Sequence, residues 1–489
     1  MKLLQRAENS NTVIGNSFLI FLIRFFPSLA ALVVVIVFSR YTSEEVYGSY
    51  QNFWVRLYLL SAVATLGIPA LLLTYTPQFT RYLFSTLKAG HYIVIMLWMI
   101  AVAASFAFLH HATVGMPVYI AFLFFLLHCL NAISETLLIV ARKFSLLLGV
   151  NVLYTIAFLL LHYGILAGVY DIDSLFLYLL VPIGLKLLIT GTSSASFAKK
   201  QDMPAEQEYT KTDIRSLWMH IGIYDVLQRV FTWIDKFIIS ILFTAGVSAM
   251  YFNGTYDIPF LPLLLGAVSS AALLQLASGG GKDDNPSAIL VANQTARILS
   301  AVVFPLFFFL FYFREELFNV LLTIKYADSI PIFAVTVFIV PLRAYNFTSI
   351  LQNRHKGRII NIGALLDIII ACVLMYPLYQ WLGLVGIALS FVISSYIQGA
   401  YYLLHTARIL NTTITEIIPM VNWSLKLIVF SLFFIVIHYL LEQLFNEAIV
   451  LFLGSLVLAV TLVASLSIEF RASKKQHGRA VSQNENNNG

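Results

Sequence analysis

Fourteen apolar runs, each close to the roughly 20 residues a helix needs to cross a bilayer, follow one another with only short polar joints between them. In hydrocarbon each spanning segment must satisfy its own backbone N–H and C=O groups, which leaves the helix as the element for such runs. The spans fall at Ile14–Phe38, Tyr50–Leu73, His91–His111, Pro117–Val140, Leu146–Gly168, Ser174–Ala198, Trp218–Phe243, Tyr251–Ala277, Ile289–Phe313, Ile330–Leu351, Ile359–Gln380, Leu382–His405, Pro419–Leu441 and Ala448–Ile468. Only 11% of the 489 residues are charged, against about 25% in a soluble domain. The fold class is all-α, a polytopic membrane protein. No joint is long enough for a water-soluble domain, so the function lies within the membrane. The formal charge of +6 does not argue for nucleic acid, because the position of the bases says more than their total. Cys129 and Cys372 both fall inside apolar runs and say nothing of redox compartment.

The bases assign the sides. With fourteen spans, nineteen Lys and Arg fall on the side of the termini and only Arg40, Arg314 and Lys325 on the other. The positive-inside rule then puts both termini in the cytoplasm. The joint near residues 199–216, with Gln201-Asp202-Met203-Pro204, reads as a cytoplasmic linker. It separates a six-helix lobe at 1–198 from a second at 217–410. Two further helices follow at 411–470, then a polar tail at 471–489 expected to be disordered.

Charges inside the spans are the candidate site. Each costs about 2.5–3.5 kcal/mol at the bilayer centre on insertion scales, so they must face protein or water. The seventh span carries Asp225, Arg229, Asp235 and Lys236. At about 100° per residue, Asp225, Arg229, Thr232 and Lys236 form one stripe within roughly 60°, and Asp235 lies off it. An Asp225–Arg229 pair at helical spacing is the plain structural alternative; it leaves Lys236 without an acid one turn away. Arg24 and Lys186 sit near mid-span with no local acid, and Arg56 lies in the second span. Unpaired buried cations call for a solvated cavity or a bound anion. Arg297 and Lys426, near span ends, are expected to snorkel. His128, Glu135, Asp225, Asp235 and Asp257 are candidates for proton carriage or for a supporting, plain hydrogen-bonding role. Gly67-Ile68-Pro69 should break or bend the second helix and act as a hinge. His110 and His111, adjacent on a helix, point apart and do not suggest a metal site. Gly279-Gly280-Gly281-Lys282 lacks the strand and the Ser/Thr of a phosphate loop. No metal or cofactor is expected.

The Ser39–Tyr50 turn, Asp235-Lys236-Phe237-Ile238-Ile239-Ser240 before a Tyr-led eighth helix, and Leu382-Gly383-Leu384-Val385-Gly386-Ile387-Ala388-Leu389-Ser390 after a basic joint carry a family likeness. In order and spacing they resemble the polysaccharide transporter branch of the multidrug/oligosaccharidyl-lipid/polysaccharide exporters, which includes the Wzx-type O-antigen flippases. The resemblance runs from about Ile14 to Ile468. It implies two six-helix lobes, alternating access, a cationic central cavity and a cargo of sugar on polyprenyl pyrophosphate. By the same resemblance Arg24, Arg56, Arg229 and Lys236 would contact substrate; the eighth helix offers Asp257 where the family has a base. The expected protein is a flippase in a bacterial inner membrane, not an enzyme. Its partners would be membrane lipids, the lipid-linked oligosaccharide, and the polymerase and glycosyltransferases of surface polysaccharide synthesis (O-antigen, lipopolysaccharide, capsule or exopolysaccharide). A glycosyltransferase, polymerase or ligase acting on the same lipid, and a cation-coupled drug exporter, are the competing classes.

Overall fold

The computed structural model describes residues 13–74, 77–197, 211–256, 285–354 and 356–487. Every regular element among them is helical. Among the described residues, ten helices are long and apolar enough to cross a membrane. Their outward faces carry large apolar side chains such as Val421, Trp381 and Leu153, as a helix solvated by lipid requires. The chain is a multi-pass integral membrane protein. It forms two compact units, Met1–Phe252 and Asn253–Gly489.

The first unit holds α1 (Val13–Tyr41), α2 (Glu44–Thr65), α3 (Ile68–Leu72), α4 (Pro77–Thr86), α5 (Ala89–Val114), α6 (Val118–Val140), α7 (Phe144–Leu166), α8 (Ile172–Phe197), α9 (Lys211–Leu242) and most of α10 (Ala245–Gly254). α2 lies against α5, α6 and α9, and α6 lies against α8. Phe53 anchors this core, with the rings of Phe106, Phe124, Phe176 and His110 within 5.4 Å of its centroid. Ser43 begins α2 by accepting the Val46 N–H at 3.3 Å, the usual service of a hydroxyl at a helix start. The sequence reading starts a second lobe at 217. Packing instead joins α9 to α2 and α3, and the division falls after Phe252.

The expected break in span two is present. Leu66 and Gly67 both have positive φ, 49° and 67°, and separate α2 from α3. Pro69, second in α3, has no N–H to leave unpaired there. The break is locked by α9. Trp218 Nε1 donates to the Leu66 carbonyl at 3.0 Å, and a Cβ on Gly67 would lie 2.3 Å from Gly222 Cα.

The second unit holds α11 (Asn285–Tyr312), α12 (Arg314–Leu321), α13 (Ser329–Thr336), α14 (Ser349–Asn353), α15 (Gly357–Leu382), α16 (Leu384–Leu410), α17 (Ile414–Ile417), α18 (Met420–Leu444) and α19 (Glu447–Asn487). Three expectations are corrected here. The tenth span, Ile330–Leu351, is not one helix. After α13 come tight turns at Val337–Ile339 and Pro341–Ala344, then extended Tyr345, before α14. Pro341 cannot donate and its ring crowds the carbonyl four residues back. The Phe338 carbonyl is met by Tyr396 Oη at 3.0 Å, and Asn346 Oδ1 accepts the N–H groups of Thr348 and Ser349. Second, the last helix does not stop at 470 before a disordered tail: α19 continues to Asn487, through a stretch holding Lys, Arg, Ala and Gln, which propagate helix well. Third, Lys426 does not snorkel. Its Nζ lies 2.9 Å from Glu469 Oε1 and donates to the Arg297 carbonyl and Ser300 Oγ, each at 2.8 Å. These bonds fix α18 and α19 to α11. The family-like Leu382–Ser390 stretch also gains a physical reason. A Cβ on Gly386 would lie 2.0 Å from the Leu378 carbonyl, so α15 and α16 turn back on each other at van der Waals contact.

Candidate site: three ion pairs in the first unit

The charged side chains that sequence singles out separate into three groups. Arg56 is one. It is 1% exposed, and its guanidinium bonds the Ser240 hydroxyl at 3.0 Å, the Ser240 carbonyl, Thr113 Oγ1 and His110 Nδ1 at 3.4 Å. Ser240 lies in the last turn of α9 and Thr113 in the last turn of α5. Helix ends leave carbonyls without intrahelical donors and carry partial negative charge. Arg56 thus ties together the C-terminal turns of two helices, bonding a free carbonyl on one of them, and this structure gives it protein partners rather than an open cavity. His110 turns to Arg56, whereas His111 Nδ1 bonds the Met116 carbonyl at 2.9 Å.

Arg24 is the second group. It stands exposed on α1 beside Ile23, which is buried among Leu138, Phe144 and Leu147. Among the described residues no hydrogen bond or ion pair engages it. Asp257 lies outside the described residues, as do Gly279 to Lys282 and most of the 199–216 linker.

The remaining bases each take one acid. Arg229 Nε lies 3.3 Å from Asp225 Oδ2, and the arginine side chain is 52% exposed. Lys236 Nζ lies 3.4 Å from Asp235 Oδ2. This resolves the stripe differently from the helical wheel: Lys236 bends to its sequence neighbour, which a long, flexible stem permits. Asp235 Oδ2 also accepts from Tyr251 Oη at 3.0 Å. Lys186 is unpaired only along its own helix. Across to α6, its Nζ lies 2.6 Å from Glu135 Oε1.

Aromatic rings tie these pairs together. Lys186 Nζ sits 4.6 Å from the centroid of Tyr154, and Lys236 Nζ sits 5.8 Å from that of Trp233. The Trp233 ring meets Tyr58 at 5.0 Å, and Tyr58 meets His128 at 5.9 Å. His128 in turn feels the charges of Lys186 and Arg229. Helical spacing explains the convergence. His128 and Glu135 are two turns apart on α6, and Arg229 and Trp233 one turn apart on α9, so each pair shares a face. Three bases, three acids and four rings line one membrane-embedded surface. A cation over an aromatic face keeps roughly 0.5–2 kcal/mol of attraction when its carboxylate partner leaves. Sequence could not single out Tyr58, Tyr154 and Trp233, because aromatic residues are frequent in every span.

The fold defines a class. It resembles the lipid II flippase MurJ in an inward closed conformation, with TM-score 0.64 and 16% identity over 92% of this chain and 98% of that one. It also resembles an inward-facing multidrug resistance MATE family transporter of the MOP superfamily, with TM-score 0.53 and 14% identity over 79% and 94% of the two chains. A MOP superfamily transporter from Pyrococcus furiosus aligns with TM-score 0.55 and 11% identity over 81% and 94%. No family model and no curated protein matches the sequence. The architecture is the one that these flippases and exporters share.

Proposed function

We propose that the chain is a flippase that moves oligosaccharide linked to polyprenyl pyrophosphate from the cytoplasmic to the outer leaflet of a bacterial inner membrane. The observation that carries this reading is the set of ion pairs Lys186–Glu135, Arg229–Asp225 and Lys236–Asp235 inside a membrane fold, with Lys186 and Lys236 held against aromatic rings. Pyrophosphate would take the bases as charge-assisted hydrogen-bond donors, Arg229 by its two-pronged edge. The rings suit the apolar faces of sugars, and the polyprenyl tail would stay in lipid. Arg24 is kept as a further contact, because an exposed guanidinium mid-helix needs water or an anion. Polymerase and glycosyltransferases of surface polysaccharide synthesis would act before and after it. No covalent chemistry is assigned to the chain.

Each charge-assisted contact to phosphate is worth about 1.5–3 kcal/mol, or roughly 10- to 100-fold in affinity. Lys186→Ala and Arg229→Ala are therefore expected to reduce surface polysaccharide in a complementation assay, at unchanged protein level by blot. Asp225→Asn, which removes only the partner of Arg229, should do less. Normal export by both alanine variants and by their combination would remove the anion site from this surface. A second reading, a cation-coupled drug exporter, is favoured by the acids of the same pairs. It requires drug sensitivity rather than polysaccharide loss when the acids are neutralised.

The sidedness is tested separately. Cysteines replacing Lys356 and Lys475 are expected to stay protected from an impermeant thiol reagent in intact cells, while one replacing Asp328 labels. Labelling at 356 would overturn cytoplasmic termini and the fourteen-span count together.

A further inference from the structure

Lys186 and Glu135 differ from the other two pairs in how they are held. Asp225 and Arg229 lie on one helix with the arginine half exposed. Asp235 is fixed by Tyr251 as well as by its neighbour Lys236. Glu135 and Lys186 meet across two helices, α6 and α8, at 2.6 Å, with Lys186 nearly enclosed and Glu135 a quarter exposed. Lys186 has a second support, the face of Tyr154. No hydrogen bond to a described residue holds Glu135 besides this ion pair. The titratable and charged groups around it are Lys186 from α8, Tyr154 from α7 and His128 two turns earlier on α6. Tyr58 from α2 and Arg229 from α9 stand behind His128. On α5, antiparallel to α6 with Phe106 against Phe125, the titratable groups towards the Glu135 end are His91 and Tyr92, while His110 lies at the other end against Arg56.

We propose that Glu135 is the exchangeable counter-ion of Lys186: when an anionic ligand takes Lys186, Glu135 is released and binds one proton from water. The inference rests on reading this surface as an anion site. Its physical basis is that one ammonium cannot serve a carboxylate at 2.6 Å and a phosphate at the same distance without leaving two negative charges side by side. In a low-dielectric site such a pair of anions is relieved by protonating one of them. The carboxylate with a single, breakable contact is the one that yields. The proton goes to a Glu135 carboxylate oxygen, Lys186 stays charged over Tyr154, and no bond to carbon changes. Ligand loading then carries a proton into the site, and unloading returns it.

The test is calorimetric titration of the full chain in detergent with farnesyl diphospho-N-acetylglucosamine at pH 7. This probe is a pyrophosphate diester whose phosphates hold no proton that titrates near neutrality. Running it in two buffers of different ionisation enthalpy counts the protons bound. The wild type is expected to take up about one proton per ligand. Glu135→Gln should take up close to none and bind roughly tenfold more tightly, because the competing charge is gone. Lys186→Met should bind at least tenfold more weakly and also take up none. Ligand binding by the wild type without proton uptake, or uptake that persists in Glu135→Gln, overturns the counter-ion role and leaves the anion site standing. No binding by the wild type overturns the anion site and the inference together. Unfolding midpoints of both variants within a degree or two of wild type exclude loss of fold as the cause.

Discussion

Arg56→Ala is expected to destabilise the protein by roughly 3–5 kcal/mol, more than loss of an ordinary exposed arginine. The side chain is enclosed and spends its donors on Ser240, Thr113 and His110. Truncation strands the Ser240 carbonyl at the end of α9 and leaves a cavity where the guanidinium stood. Each unsatisfied buried polar group costs about 1–3 kcal/mol, and the cavity adds to that. Arg56→Lys should recover only part of the loss, because one ammonium cannot span acceptors on two helices as a planar fork does. The measurement is the thermal unfolding midpoint of detergent-purified protein, followed by tryptophan fluorescence, with membrane protein level alongside. The alanine variant should fall by several degrees and accumulate poorly. A normal midpoint combined with lost export would assign Arg56 to the substrate after all.

The second large effect is expected at the helix break. Gly67→Ala should cost about 3 kcal/mol from two additive sources. A side chain in the left-handed region costs roughly 1–2 kcal/mol. The new Cβ also meets Gly222 Cα, a backbone atom that cannot rotate away, 2.3 Å from where it would stand. Overpacking of this kind typically costs about 1–3 kcal/mol. Gly222→Ala separates the two sources, since its Cβ would crowd the Leu66 carbonyl at 2.8 Å from an ordinary helical backbone. It should cost about half as much. Equal and negligible shifts in the two unfolding midpoints would show that α3 and α9 are free to part, and that the contact contributes little to stability. Export assays on the same variants report on the hinge expectation: a folded Gly222→Ala protein with slowed export would tie this contact to the transport motion.

Much of the fold is legible in the sequence because the bilayer imposes a single rule. Apolar length alone locates α1, α5 to α8, α11, α15, α16 and α18, and the start of α19, with ends shifted by only a few residues. Gly67 and Pro69 announce the break in span two, since both disturb a helix whatever surrounds them. Pro341 carried the same signal in span ten. The apolar character of Ile330–Leu351 masks it, and the Phe338 carbonyl finds its donor on α16, 58 positions away.

The candidate site was legible in residue type and not in partnership. Arg229, Lys236, Lys186 and Glu135 stand out because charge is rare in a span, and the Asp225–Arg229 pair follows from helical spacing. The partners of Lys186, Lys426 and Arg56 lie 51, 43 and 184 positions away. No local pattern encodes such distances. A mid-span arginine looks the same in sequence whether it awaits a ligand or closes two helix ends.

The sequence by itself determined that this chain crosses the membrane many times as helices, which backbone groups would be in difficulty, and where charge enters the bilayer. Those properties depend on local length, hydropathy and backbone geometry. Only the tertiary structure decided which charges are enclosed by helix ends and which stand paired with an acid. That choice depends on what each charge meets across helices. In a medium of low dielectric the nearest opposite charge or helix end, not the nearest in sequence, sets the fate of a buried ion.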